Sequence, residues 1–339
     1  MHVSLGERGL GAAAPALVVA EIGSNHDGDL ERALMLVDAA AHAGADAVQF
    51  HSFRAALLLA RRWPGPDGGW TAADAYPQLE RAELRTEWHA RLREQARVRG
   101  LVFLSTAFDM QRAELLAALG APAFPVAAGD LTHVPLLRTL GGFGRPIMLA
   151  TATAQAEEIA AALVAVGEGA GAPPRRPPVV LVAGPDLRSI GALRARFDCL
   201  VGWTDRVPGF TLALGAVALG ACVVVKALTD DRCRRGPDHA TALEPAELRT
   251  MVRAVRELDG ALRGTPERRA TTPERAGCLA RRGVFAVRAL PAGAVLEASD
   301  LKVVRPALGA PPAALPALVG RRLVRPLAAD QPVDLEDVA

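Results

Sequence analysis

Val19-Ala20-Glu21-Ile22-Gly23-Ser24-Asn25-His26-Asp27-Gly28-Asp29 is followed, fourteen residues of amphipathic chain later, by Gly44-Ala45-Asp46-Ala47-Val48-Gln49-Phe50. Residues 17–20 read as a strand, Leu30–Ala43 as a helix with apolar residues at helical spacing, and 45–50 as a second strand. A carboxylate that ends an apolar strand, as Glu21 does, has little reason to be there except a site. The Asn-His-Asp-Gly stretch after it is also ordinary turn chemistry.

The same alternation continues along the chain. Helices are expected over 83–99, 111–119 and 134–140, and strands over 102–105, 123–127, 147–150, 179–182, 199–203 and 222–227. Eight βα units in regular order predict an α/β fold, a (β/α)8 TIM barrel over 1–259. Residues 54–78, rich in Pro, Gly and Trp, read as a long loop after the second strand. Loops at that end of a barrel build the active site, so this one is a candidate lid. A polar linker is expected over 260–276, and a small β-rich domain over 277–339, broken by turns at Leu290-Pro291-Ala292-Gly293 and Leu308-Gly309-Ala310-Pro311-Pro312.

Composition narrows the function. Half of the 339 residues are hydrophobic and the formal net charge is +2, which offers no electrostatic footing for nucleic acid or a membrane surface. No apolar run reaches ~18 residues, and no basic stretch leads into an apolar one near the start. A soluble, cytoplasmic protein is expected. Arginine supplies nearly all the positive charge, with Lys226 and Lys302 the only lysines. With abundant Ala, Gly and Pro, that reads as the coding bias of a GC-rich bacterial genome. The four cysteines lack CxxC spacing, and Cys199 and Cys222 read as buried small hydrophobes.

The opening run and the second strand resemble the start of a sialic acid synthase. Gly283-Val284-Phe285-Ala286-Val287-Arg288-Ala289-Leu290 and Asp300-Leu301-Lys302-Val303-Val304-Arg305-Pro306 resemble the antifreeze-like (SAF) domain that closes such enzymes. The resemblance covers nearly the whole chain. It implies condensation of phosphoenolpyruvate with an amino sugar, with lysines holding the anion and a divalent metal activating the aldehyde. It also implies a domain-swapped homodimer, in which Arg305 of one subunit covers the sugar bound by the other. Glu21, Asn25 and the loop Gly236-Pro237-Asp238-His239 match the family's sugar-facing positions.

Elsewhere the family's chemistry is missing. Gln49 and Pro125 stand for its lysines, and Ala128 and Ala150 for its serines. Arg206 and Ala227 stand where the resemblance places two metal-binding histidines. Lys226 matches the family, but strand alternation points it at the helix layer. Asp205 without a histidine partner is a poor metal site, so no metal and no cofactor are expected.

Glu21, His51, Asp205, Arg206 and His239 are the candidate catalytic residues, with Asn25, Gln49, Thr204, Asp238 and Arg305 as candidate substrate contacts. Arg206 can act as a fixed cation for a carboxylate or developing oxyanion. His51 or His239 can serve as general base, because histidine exchanges a proton near neutral pH. Three readings follow: a metal-independent enzyme acting on a sugar-like or hydroxy-acid small molecule, a non-catalytic sugar-binding or partner-stabilising paralogue, and a phosphoenolpyruvate-dependent synthase with an altered site.

Overall fold

The structure is a computed structural model that describes residues 2–11, 14–64, 69–171, 177–263 and 278–339. The chain divides into two compact units, Met1–Arg263 and Gly264–Ala339.

In the first unit, eight parallel strands follow one another in chain order: β3 (Leu17–Gly23), β4 (Ala47–Ser52), β7 (Val102–Ala107), β8 (Phe124–Val126), β9 (Ile147–Ala150), β10 (Val179–Ala183), β11 (Leu200–Asp205) and β12 (Val223–Ala227). β12 pairs in parallel with β3, while β7 and β8, the ends of the ladder, lie side by side. The sheet therefore curls into the expected barrel, wrapped by helices.

Strand alternation sorts the apolar residues into two cores. Val18, Ala20 and Ile22 pack outward with Leu36, Val37 and Val252 of the helix layer. Leu17 and Val19 point inward with Leu104, Met148, Val180 and Val223. Glu21 continues the inward series, one step beyond the apolar layers.

The capping around β3 is explicit in the sequence. Asp29 Oδ1 accepts from the backbone amides of Glu31 and Arg32 and starts the helix Leu30–Ala43, a cap that contributes about 1 kcal/mol. Gly44, at φ 85°, ends it. The loop between is pressed against its neighbour. Gly28 has φ 73°, and a Cβ there would lie 2.1 Å from the Arg81 carbonyl oxygen.

Two elements differ from the sequence reading. The hairpin of β1 (His2–Leu5) and β2 (Arg8–Gly11) had no counterpart in it. Val3, Leu5 and Leu10 join the inner core and close the barrel at the end opposite the site. Four-residue strands carry too little periodicity to be read, and burial against the barrel decides them.

The segment 54–78 contains a helix Ala55–Leu58, a hairpin of β5 (Arg62–Pro64) and β6 (Trp70–Ala72), and the start of a helix Tyr76–Arg81. Ala55, Ala73 and Tyr76 bury one another there. It carries its own small core, which corrects the expectation of a plain loop.

The helix Pro245–Arg263 runs into the segment read as a linker. The remainder of that segment lies outside the described residues. In the second unit, β13 (Gly283–Ala286) pairs antiparallel with β14 (Leu301–Val304) over a core of Val284, Leu290, Leu296, Leu318, Leu323 and Val333. Cys199 and Cys222 are buried, and burial pushes the Cys222 thiol up to about 12. Among the described residues no helix is long and apolar enough to cross a membrane.

Candidate active site at the barrel mouth

The C-terminal ends of the strands surround a cavity of about 170 Å³. One wall is polar: Glu21 from β3, Gln49 and His51 from β4, Thr106 from β7, and Thr204 and Arg206 at the end of β11. The other is apolar, with Pro125 and Val126 from β8, Met148 and Ala150 from β9, and Val182 from β10. The positions where the sequence departs from the family's lysines and serines thus divide between the two walls. Gln49 adds an amide, whereas Pro125, Ala128 and Ala150 form a smooth surface.

Glu21 is the hub. Its Oε2 lies 2.8 Å from Arg206 Nη2, and its Oε1 accepts from Gln49 Nε2 at 3.1 Å and lies 3.2 Å from His51 Nε2. Arg206 also reaches Asp238, with Nη1 3.4 Å from Oδ1. One guanidinium therefore bridges two carboxylates from adjacent elements, the end of β3 and the loop after β12. Burial pushes the Glu21 carboxyl up, but the Arg206 charge and the His51 bond outweigh it and hold the pKa at about 2. Glu21 is a permanent anion at neutral pH. It anchors its neighbours and has no proton to give.

With His51 Nε2 donating to Glu21, the ring's Nδ1 carries the lone pair and has no protein partner among the described residues. That nitrogen is the atom available as a base. Gly23 makes room for it: a Cβ there would stand 3.2 Å from Nδ1. Phe108 meets the ring edge-on with centroids 5.6 Å apart. The Gln49 amide also donates to Thr106 Oγ1 at 3.3 Å, which leaves its own Oε1 buried without a partner in the cavity. That oxygen suits a substrate hydroxyl.

The remaining candidates stand elsewhere. His239 is fully buried, its Nε2 3.0 Å from Asp27 Oδ1 and its Nδ1 2.7 Å from Thr229 Oγ1. Both nitrogens are occupied in tying two loops together, so the structure offers His51 and not His239 as the base.

Asp205 points away from the cavity and pairs with Lys226 at 3.4 Å, both side chains fully enclosed. Asp205 Oδ1 accepts from the Val207 amide at 3.1 Å, and Lys226 Nζ donates to the Val207 carbonyl. The pair grips both polar groups of Val207, the residue after Arg206, a positioning role in place of a catalytic one. Asn25 Nδ2 donates to the Leu228 carbonyl at 2.9 Å and ties the β3 loop to the end of β12. Arg305 is an exposed residue of the second unit, just beyond β14.

The sequence reading missed Thr106 and Phe108. Strand alternation could have found Thr106, which directly neighbours His51 across the β4–β7 ladder. It also missed Ser52, whose Oγ lies 2.7 Å from His89 Nε2 and 2.6 Å from Ser105 Oγ. That pair has the residue types of a nucleophile and its base. Burial encloses it and pushes the His89 pKa down to about 4, so it is an internal strut.

The residues at the mouth do not fit the divalent ion that the resemblance implies. Arg206 and Ala227 bring no metal-binding lone pair, and the guanidinium lies between the two nearest carboxylates. Among the described residues no group of three His, Cys, Asp or Glu side chains could hold a metal.

The comparisons with known proteins agree with this architecture. The NeuB family model matches residues 36–175 and 178–266, and the SAF domain model matches 281–339. The N,N'-diacetyllegionaminic acid synthase of Legionella pneumophila is 31% identical over 335 residues, covering 94% of this chain and 93% of that protein. The N-acetylneuraminate-9-phosphate synthase of Homo sapiens is 28% identical over 335 residues, covering 94% and 91%. Among solved structures, the spore coat polysaccharide biosynthesis protein SpsE of Bacillus subtilis has a TM-score of 0.66 at 27% identity, covering 100% of this chain and 99% of that one. The N-acetylneuraminic acid synthetase of Leptospira borgpetersenii, in complex with citrate, reaches 0.71 at 26% identity, covering 81% and 94%.

Proposed function

Since the chain belongs to the NeuB family and closes with a SAF domain, we propose that it is a biosynthetic enzyme that acts on a sugar-like or hydroxy-acid substrate without a divalent metal. Its relatives are named as synthases of sugar acids, which supports a small polyhydroxylated substrate. The observation that carries the reading is the Glu21–Arg206–Asp238 bridge. It puts a fixed cation at a position where the family resemblance has a metal histidine.

Each residue then has a task. The Arg206 guanidinium stabilises a carboxylate or a developing oxyanion. His51 Nδ1 takes the proton from a substrate hydroxyl or carbon acid, and Glu21 steadies the imidazolium that forms. Gln49 Oε1, Thr204 and Asp238 orient hydroxyls. The apolar wall lacks the several cations that a phosphate-bearing enolpyruvate would need.

A mass-spectrometric screen of sugar and acid metabolites, with Arg206→Ala as control, tests the reading. Turnover that persists after chelation and disappears in the variant is the expected result. Elemental analysis of unchelated protein should find well below one divalent ion per chain. Stoichiometric metal, or phosphate release from phosphoenolpyruvate and N-acetylmannosamine at rates lost on chelation, would sink the proposal. The apolar wall favours a second reading, a non-catalytic sugar binder or stabilising partner of an active homologue. Binding without turnover for every substrate in the screen would select it.

The proposal extends to a cytoplasmic, domain-swapped homodimer in which Arg305 of one subunit serves the other's mouth. A two-fold dimer is the commonest closed assembly. Small-angle scattering should give a dimer at micromolar concentration. Arg305→Ala should weaken sugar binding and leave the dimer intact. A monomer, or unchanged binding in the variant, would refute the arrangement.

A further inference from the structure

Most guanidinium groups of the loops around Asp238 have carboxylate partners. Arg32 pairs with Asp27 at 2.7 Å, Arg234 with Asp230 at 2.8 Å and Arg232 with Glu247 at 3.1 Å. Arg81 and Arg235 do not. Among the described residues neither has a hydrogen bond or ion pair from its side chain, and both line one cavity of about 340 Å³ beside the mouth.

Three elements form this cavity: the β3 loop with Ser24 and Asp27, the end of the helix Tyr76–Arg81, and the β12 loop at Arg235–Pro237, next to Asp238. Its one carboxylate, Asp27, is already engaged by Arg32 and by His239 Nε2 at 3.0 Å. The walls are held in place, because Gly28 lets the β3 loop touch the Arg81 backbone. Two like charges share a concave space with no free counter-charge in it. Both side chains are exposed, so solvent screens their mutual repulsion, and the cavity offers an anion two guanidinium groups whose donors are not already taken.

We infer that this cavity is an anion subsite, which takes a phosphate monoester or a carboxylate at the end of the substrate remote from Arg206. The inference rests on the reading of the mouth as a sugar site. It makes the substrate an anionic sugar derivative, with its charged end between Arg81 and Arg235 and its reacting end against Glu21 and Arg206. Guanidinium groups suit either anion through paired N–H donors.

Calorimetric titration of the full chain tests the subsite apart from the reaction. Inorganic phosphate alone should bind at millimolar concentration. The double variant Arg81→Ala/Arg235→Ala should weaken it at least tenfold, while Arg249→Ala/Arg253→Ala, a pair on the exposed face of the last barrel helix, should leave it unchanged. Absence of phosphate binding, or equal loss in both double variants, overturns the subsite and leaves the proposed reaction standing.

A hexose 6-phosphate, a hexuronic acid and the neutral hexose form the second arm. A gain of tenfold or more over the neutral sugar, removed by Arg81→Ala/Arg235→Ala, supports the subsite and shows whether phosphate or carboxylate fills it. No gain for either charged sugar, where the neutral one binds, also overturns it. If phosphate binds as expected but no sugar does, the subsite stands as an anion site and the sugar reading of the mouth fails.

Discussion

Arg206→Ala is expected to abolish ligand binding at the barrel mouth and to reverse the pH dependence that Glu21 gives the fold. A carboxyl whose folded pKa lies below its unfolded value adds stability above the unfolded pKa and loses it as pH falls through the folded one. Here the folded value is about 2 against an ordinary 4.5. At ~1.4 kcal/mol per pH unit, that gap contributes ~3 kcal/mol at neutral pH and fades on acidification from about pH 4.5 to about pH 2.

The variant keeps the burial and removes the main opposing charge, so the carboxyl pKa climbs above its ordinary value. The same group then costs stability as pH rises through the unfolded pKa. Arg206 itself is 45% exposed, so solvent screening trims both the lost contribution and the new cost, and their sum at neutral pH should be about 3 kcal/mol, the lower end of the range for a buried pair. Melting temperatures followed from pH 3 to pH 8 should show the variant falling away from the parent as pH rises. Parallel curves would show that Arg206 does not hold the charge on Glu21.

Lys226→Met should cost more, ~3–5 kcal/mol at neutral pH, because it leaves the enclosed Asp205 carboxylate without its cation. Asp205 Oδ2 already has no hydrogen-bond partner, so nothing nearby can take over. Adding Asp205→Leu removes the stranded charge and should return most of the loss in chemical denaturation. Sugar binding should not return with it, because both bonds to Val207 that fix the backbone next to Arg206 are gone. If binding recovers together with stability, Asp205 and Lys226 are only a structural pair.

These two variants mark the boundary between what the sequence shows and what it leaves open. Glu21 was legible because a carboxylate closes the apolar run of β3, and the family resemblance put Gln49, Thr204 and Arg206 at the same end of the barrel. Strand alternation turned Lys226 outward. The same rule points Asp205 outward, yet its match to the family's seventh-strand motif put it among the candidate catalytic residues. His239 was a candidate base because histidine exchanges a proton near neutral pH and its loop matches the family's sugar-facing loop. Its two ring bonds run to Asp27 and Thr229, and Asp27 lies 212 positions away in the chain.

The (β/α)8 order and the alternation that turns Glu21 inward and Lys226 outward are legible in the chain itself. Those follow from local periodicity and turn chemistry, which adjacent residues carry. Tertiary structure alone decided the hairpin that closes the barrel, the clamp behind Arg206, and the sharing of one guanidinium between Glu21 and Asp238. Each of these depends on a polar or apolar group meeting a partner distant in sequence. No local pattern encodes such a meeting. It is fixed only when closing the barrel brings the ends of β3, β11 and β12 together and burial makes an unpaired charge too costly to leave.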